Sequence, residues 1–172
     1  AHLNNIHHQL SPSILRTLRR RGVPMVMSLR DYKVVCGSYQ MLADDRPCEA
    51  CCGGRHLQAT LKRCVKGSLA ASVLTTVEMT LHHRVLGLYG LVDIFISPSA
   101  FLKAKVLEMG FPGEVVHLPN FVGGLERLAP QYGSARPHLV YSGRLGSEKG
   151  LVTLVRAVEG LPLRLEIIGG AT

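Results

Sequence analysis

Apolar residues along the chain fall into short continuous runs and into longer stretches with a spacing of three and four residues. Five runs have the length of buried strands: 23–29, 92–97, 114–118, 138–142 and 163–168. Four stretches have helical spacing: 11–22, 67–88, 99–109 and 151–158. Because strands and helices alternate, the pattern predicts an α/β fold built from parallel, doubly wound sheets.

The ends of the predicted helices have recognisable capping residues. The first helix begins at Ser11-Pro12 and ends at Gly22, after three arginines that complement the negative end of the helix dipole. The longest helix, 67–88, has aliphatic residues at Leu69, Val73, Val77, Leu81, Val85 and Leu88. This spacing predicts one continuous helix.

The order of the elements predicts two domains joined by a linker. Residues 1–121 form the first domain, with an irregular, cysteine-rich insertion at about 35–66. Glycine and proline without periodicity predict a linker over 122–137, and 138–172 begin the second domain. The chain starts with Ala and stops directly after a strand. We therefore expect an internal piece of a longer protein, with most of an N-terminal domain and the first βαβ unit of a C-terminal one.

The net positive charge of the chain favours anionic partners, but the low aromatic content argues against nucleic acid as one of them. The chain has 47% hydrophobic residues and a net charge of +8, from 20 Lys and Arg against 12 Asp and Glu. Aromatic residues make up only 5% and Trp is absent, so bases would find few side chains to stack on. The balance favours a membrane surface or a nucleotide-linked substrate. No apolar run is long enough to span a membrane.

The segment 143–150 has the pattern of a phosphate-binding loop. It follows a predicted strand, precedes a predicted helix, and contains Arg144 and Lys149 between Gly143 and Gly150. Ligands of α/β sheets bind at the carboxyl ends of strands, and helix N-termini favour anions. Arg can hold phosphate oxygens as a fork, and Lys adds a mobile charge. The alternative is an ordinary surface turn whose cations are solvated.

Four cysteines in the insertion could form a metal site. Cys48 and Cys51 have CxxC spacing, and Cys36 and Cys64 flank them, with Cys52 as a fifth thiol. Four thiolates bind zinc tetrahedrally and can organise a loop that is too polar to fold alone. Reduced structural thiols or a disulfide pair are the alternatives.

Several short segments together resemble one enzyme family. Gly143-Arg144-Leu145 and Glu148-Lys149-Gly150 match its donor-phosphate loop. The other segments occur in the family's order: 5–11, 30–33 with Cys36, 48–51, 63–68, 97–99 with Phe101, and 118–121. Together they are similar to the GT-B glycosyltransferases of family 4, and the similarity covers nearly all 172 residues.

The resemblance implies a fold and an activity. The fold would be GT-B, with two Rossmann-like domains. The activity would be transfer of a sugar, with retention, from a UDP- or GDP-sugar to a hydroxyl group of a glycan or lipid-linked acceptor, as in the synthesis of cell-envelope polysaccharides. Such enzymes need no cofactor or metal for catalysis, and zinc here would be structural. They act in the cytoplasm, in some cases peripherally at the inner face of the membrane, and not on nucleic acid.

The resemblance also implies roles for individual residues. In the donor loop, Gly143, Arg144 and Lys149 would bind the diphosphate. On the acceptor side, Asp31 and Arg30 would occupy catalytic positions. His7, His8 and Tyr32 would face the acceptor, and Asn120 would lie near the crossover between the domains.

The chain departs from the family pattern at three places. Arg30 stands where the family has a His, and Arg cannot accept a proton at ordinary pH. Asn4 stands where a further His is common. The family's second acidic motif would fall beyond Thr172, so we expect these 172 residues to be inactive by themselves. The alternative function is a degenerate, non-catalytic binding module with a zinc-stapled cysteine loop.

Two basic segments could contact anionic lipid, as in family members that use lipid-linked acceptors. One is the helix 11–22, and the other is the cluster Lys62, Arg63 and Lys66. The alternative for both is a solvated surface. The pairs His7-His8 and His82-His83 lack the i, i+4 spacing of helical metal ligands, so exposed or core-edge histidines are expected.

Overall fold

A computed structural model describes residues 1–7, 10–44, 46–121, 123, 137–146 and 149–170. The chain divides into two compact units, Ala1–Val122 (unit 1) and Gly123–Thr172 (unit 2). The division falls at the start of the predicted linker, most of which lies outside the described residues. His8, Ser147 and Glu148 also lie outside them.

Unit 1 contains a parallel sheet of four strands. The strands are β1 (His2–Asn4), β2 (Val26–Ser28), β5 (Ile94–Ser97) and β6 (Val115–His117), in the order β1-β2-β5-β6. A two-stranded antiparallel hairpin, β3 (Leu42–Ala43) with β4 (Arg46–Pro47), lies in the predicted insertion. The predicted α/β class with a parallel sheet is confirmed, and β1 and the hairpin are additions to the predicted strands.

The helices of unit 1 are α1 (Ile14–Arg20), α2 (Leu57–Leu61), α3 (Leu69–Thr80) and α4 (Ala100–Glu108). The end of α1 is a Schellman motif. The Val23 N–H donates to the Leu18 carbonyl and the Gly22 N–H to the Arg19 carbonyl, with Gly22 at φ +66°. The Ser99 hydroxyl caps α4 by accepting from the Leu102 N–H at 3.1 Å.

The core of unit 1 lies between the sheet and its helices. Phe95 of β5 is fully buried and meets Phe111 edge to face, with ring centroids 4.8 Å apart. Leu15 of α1 and Val106 of α4 are also fully buried, so both helices contribute to this core.

The insertion is attached to the end of α4. The Gly53 N–H donates to the Met109 carbonyl at 2.9 Å, and a Cβ on Gly110 would lie 3.3 Å from the Gly53 Cα. Lys105 pairs with Glu49 at 2.9 Å and with Glu108 at 2.7 Å. The two backbones therefore approach closely, and a cation between two carboxylates closes the contact.

The predicted helix 67–88 is interrupted. Ser68 caps α3, which ends at Thr80 and continues as a π-helical turn over Leu81–Val85. A 3-10 turn, Leu88–Leu91, follows after Gly87, whose φ of +56° is left-handed. The prediction of one continuous helix is therefore wrong at its C-terminal end, since Gly87 readily takes a conformation that a helix excludes.

Unit 2 is a strand, helix and strand. β7 (His138–Ser142) pairs in parallel with β8 (Arg164–Ile168), and α5 (Leu151–Val158) connects them. The register joins His138 to Arg164 and Ser142 to Ile168. The three elements match the predicted ones to within one residue. Among the described residues of both units, no helix has the length and hydropathy needed to cross a bilayer.

Candidate functional site

The carboxyl edge of the unit 1 sheet brings together three residues that the sequence analysis names, Arg30, Asn4 and Asn120. Arg30 follows β2, Asn4 ends β1, and Asn120 follows β6. The Arg30 guanidinium donates from Nε to the Asn4 Oδ1 at 3.2 Å and from Nη1 to the Asn120 Oδ1 at 3.3 Å. Parallel strands present their carboxyl ends at one edge, which explains how residues 26 and 90 positions apart meet here.

Arg30 is a donor at this edge and not a base. Its side chain is exposed, and a guanidinium has five N–H donors, two of which are used by the asparagines. A group held in this way can bind an anionic oxygen but cannot accept a proton from a hydroxyl group.

Asp31 and Tyr32 belong to the turn after β2. The Asp31 Oδ1 accepts from the Lys33 N–H at 2.8 Å, which closes the turn. The Tyr32 N–H donates to the Tyr39 carbonyl at 3.1 Å, and its ring packs partly against the core. With Arg30, Asp31 lines a niche of about 10 Å³, roughly the room that one water needs.

His7 lines the same niche from the end of β1. Its Nδ1 is 3.2 Å from the Tyr89 hydroxyl, so the imidazole is directed by a tyrosine of the 3-10 turn. The structure thus places His7, Arg30 and Asp31 around one point. Tyr32 does not line the niche, and His8 lies outside the described residues.

A second group of imidazoles lies behind His7. The His83 ring is 4.5 Å from the Tyr89 ring and 5.2 Å from the His56 ring. Burial, together with the nearby charges of His56 and His82, lowers the pKa of His83 to about 3. Burial also lowers the pKa of His56, whose Nδ1 is buried with no hydrogen-bond partner among the described residues.

These imidazoles line a cavity of about 160 Å³, together with Cys51 and Arg84. The Arg84 Nη2 donates to the Gly54 carbonyl at 3.0 Å and so links the π-helical turn to the insertion. The sequence contains no spacing signal for this cluster, because its members are separated by 27 positions and meet only through α2 and α3.

In unit 2 the first residues of the predicted glycine loop, Gly143 and Leu145, lie across the ends of both strands. The Gly143 N–H donates to the Ile168 carbonyl at 3.0 Å, and the Leu145 N–H to the Gly170 carbonyl at 3.2 Å. A Cβ on Gly169 would lie 1.9 Å from the Gly143 carbonyl oxygen. Two backbones therefore touch at this point, and no side chain fits at position 169.

Arg144 and Lys149 are both exposed on this loop. The Tyr141 hydroxyl donates to the Arg144 carbonyl at 2.8 Å, which fixes the backbone of the arginine. Lys149 lies two residues before α5, and Gly150 makes the turn into the helix at φ +67°. The loop thus presents two cations at the carboxyl end of β7 and before a helix N-terminus.

The cysteines of the insertion are free thiols, and none is part of a disulfide within the described residues. Burial, with a smaller contribution from the nearby thiols of Cys36, Cys64 and Cys48, raises the pKa of the Cys51 thiol to about 11. The Gly37 N–H donates to Cys51 and acts in the opposite direction. The thiols therefore lie near enough to influence each other's charge.

As placed, these thiols do not converge on one point. No three His, Cys, Asp or Glu side chains in the described ranges are arranged to hold a metal ion. The zinc site stays a prediction. The Cys52 Sγ donates to the Glu108 carbonyl at 3.7 Å.

Comparison of the chain with protein-family models, curated proteins and solved structures finds no match.

Proposed function

We propose that the protein is a retaining glycosyltransferase of GT-B architecture that uses a nucleotide-diphosphate sugar. The observation that carries the proposal is the loop 143–150 in unit 2. Its two exposed cations, Arg144 and Lys149, lie at a strand's carboxyl end and before a helix. The diphosphate gains negative charge as the bond to the sugar breaks, so cations at this place would stabilise the transition state.

The edge of unit 1 supports the acceptor side of the proposal. Asp31 has a carboxylate beside the niche that His7 also lines, and Arg30 contributes N–H donors there. In this reading Asp31 and Arg30 orient a hydroxyl acceptor, a glycan or a lipid-linked sugar. Arg144 and Lys149 would supply the positive charge that the departing diphosphate needs. The proposed catalysis therefore requires no metal ion. The proposed location is the cytoplasm.

Nucleotide binding tests the proposal directly. We expect the full-length protein to bind UDP or GDP at least about tenfold more tightly than the corresponding monophosphate, because the cations contact the second phosphate. Lys149→Ala should remove most of this preference. Arg156→Ala, which removes an exposed cation from the last turn of α5, is the matched control. Isothermal titration calorimetry provides the measurement, and equal affinity for diphosphate and monophosphate would contradict the proposal.

A second candidate is a non-catalytic binding module with a zinc-stapled insertion. The observation in its favour is Arg30, which two asparagine oxygens hold where a proton-accepting histidine would be needed. A protein of this kind would bind the nucleotide-sugar or glycan and would not transfer the sugar.

The prediction of a structural zinc ion in the insertion applies to both candidate functions. We expect the purified protein to contain about one equivalent of zinc, bound by Cys36, Cys48, Cys51 and Cys64. Cys51→Ser should reduce the zinc content to less than about a tenth of an equivalent, because three thiolates bind zinc more weakly. Cys52→Ser is the control that should retain the metal. Elemental analysis measures both, and a wild-type protein purified without zinc would disprove the site.

A further inference from the structure

The cavity of about 160 Å³ that the imidazoles line, called here the insertion cavity, has an apolar side and a polar side. The apolar side is formed by Val34, Val35, Met109 and Phe111, all of which are buried. A cavity of about this volume is large enough to hold a benzene ring. The insertion cavity can therefore enclose the apolar body of a small organic molecule.

His56 contributes an unpaired polar group to the other side. Its side chain is 4% exposed, and its Nδ1 is buried with no hydrogen-bond partner among the described residues. A buried polar atom that lacks a partner costs free energy, so a ligand that hydrogen-bonds this imidazole would recover it. Burial holds the pKa of His56 below its ordinary value. The ring is therefore uncharged at neutral pH and adds hydrogen-bonding capacity without adding charge.

Gly54 brings this imidazole and a guanidinium to one place. A Cβ on Gly54 would lie 3.4 Å from the Arg84 Nη2 and 3.8 Å from the His56 Nε2. Both nitrogens therefore border a single point, which a side chain at position 54 would occupy. The φ of Gly54 is +74°, a conformation that favours glycine and so keeps this point open.

Arg84 reaches the cavity from the π-helical turn Leu81–Val85. Single π-helical turns within helices are rare and occur frequently at functional sites. The Arg84 Nη2 donates to the Gly54 carbonyl at 3.0 Å, which fixes the guanidinium at the polar side. A guanidinium has five N–H donors, and this is its one hydrogen bond to the described part of the chain.

The charge of the insertion cavity selects the kind of ligand. Among the described residues that line it, none has a carboxylate, and Arg84 supplies a positive charge beside an uncharged His56. A guanidinium repels a metal cation and attracts an anion. The buried apolar side would be left uncovered by an inorganic ion such as phosphate. An anion with one negative charge and an apolar body matches both sides of the cavity.

We propose that the insertion cavity binds a small organic monocarboxylate with an apolar body of about four to six carbons. The carboxylate oxygens accept hydrogen bonds from Arg84 and His56, and the body packs against Met109 and Phe111. This site is separate from the niche at Arg30, with which it shares only the lining residue Val34. The proposal does not depend on the proposed sugar transfer.

Calorimetric titration of the full-length protein with benzoate tests the ligand class. We expect saturable binding with a dissociation constant of about 1 mM or below. Benzyl alcohol, which has the same ring and no charge, should bind at least about tenfold more weakly, and so should inorganic phosphate. Arg84→Gln should weaken benzoate binding at least about tenfold and leave the binding of benzyl alcohol unchanged.

Arg55→Gln is the matched control. Arg55 is an exposed arginine of the insertion that donates to the Cys52 carbonyl at 3.1 Å, and it does not line the cavity. This variant should bind benzoate as the wild-type protein does. His56→Phe keeps a ring at position 56 and removes its nitrogens, so it should also weaken benzoate binding about tenfold. Thermal unfolding of each variant checks that it is folded.

Methyl resonances of methionine locate the bound benzoate. Met109 lines the insertion cavity and Met27 lines the niche at Arg30, and both side chains are buried. In protein labelled with carbon-13 at its methionine methyl groups, benzoate should shift the Met109 resonance and leave that of Met27 in place. Met109→Leu and Met27→Leu provide the assignments.

Three results would overturn the proposal. One is the absence of saturable benzoate binding up to about 10 mM. Another is a folded Arg84→Gln variant that binds benzoate as tightly as wild type, or phosphate binding that is tighter than benzoate binding. The third is a shift of the Met27 resonance without a shift of the Met109 resonance, which would place the ligand in the niche.

Discussion

Replacing Arg144 by Ala in the full-length protein is expected to lower kcat/KM for sugar transfer by a factor of about 10²–10³. The guanidinium would contact the diphosphate most strongly when its charge is greatest, in the transition state. The loss should therefore lie mainly in kcat, with a smaller change in KM. Arg144→Lys should recover part of the activity, because it restores the charge and not the two-pronged geometry.

Arg156→Ala provides the comparison, since it removes the same charge from α5 at a distance from the loop. Initial rates with a radiolabelled nucleotide-sugar measure both variants. If Arg144→Ala transfers sugar at the wild-type rate, Arg144 does not bind the diphosphate. If the wild-type full-length protein binds the nucleotide-sugar and no transfer occurs, the non-catalytic module is the better description.

Unit 1 is expected to lose stability steeply in acid because of His83. Below pH 6.5 the unfolded chain binds a proton at this imidazole, whereas the folded protein binds it only near pH 3. The unfolded state then holds more protons, so the free energy of unfolding falls as the pH falls through this interval. Between pH 7 and pH 4 the loss from His83 alone is on the order of 2–3 kcal/mol.

Urea unfolding at pH 7 and pH 4 measures this effect, with His83→Gln as the test variant. The variant should lose less stability between the two pH values than the wild-type protein, whatever its stability at pH 7. His117→Gln, which changes an exposed histidine at the end of β6, should have the wild-type pH dependence. An identical acid loss in wild type and His83→Gln would show that this imidazole is not the cause.

Strands could be predicted from the sequence where a short apolar run is followed by residues typical of a turn. β5 is an example, because burial on both of its faces requires continuous apolar residues. β1 was not predicted, since it is three residues long and only Leu3 is buried. The hairpin of β3 and β4 was missed for a related reason. It has two residues in each strand, and its geometry depends on a left-handed residue at Asp44.

The spacing of aliphatic residues predicts that α3 is a helix. It does not predict which side of the helix faces the protein. That choice depends on the hydrogen bonds of two polar residues. The Ser72 hydroxyl accepts from the Val65 N–H in the loop before α3, and the Thr76 hydroxyl lies 2.7 Å from the Thr60 hydroxyl of α2. Tertiary hydrogen bonds therefore override the aliphatic pattern. A polar face rich in Ser and Thr is the signal that could have indicated an inverted helix.

The sequence predicts where the segments of the candidate site lie along the chain, but it does not predict which of their residues touch. The loop 143–150 could be located because the strand and helix on either side of it have clear patterns. The contact of Arg30 with Asn4 and Asn120 depends on the order of strands in the sheet. Sequence periodicity contains no information on that order, and the imidazole group around His83 was missed for the same reason.

The attachment of the insertion to α4 has a thermodynamic consequence. Because Gly53 is hydrogen-bonded to Met109 and Lys105 joins Glu49 to Glu108, the insertion cannot detach without disturbing the helix that covers the sheet. The insertion and the sheet should then open as one cooperative unit. Any ligand that binds the folded insertion would stabilise the whole of unit 1, by an amount set by its concentration relative to its dissociation constant.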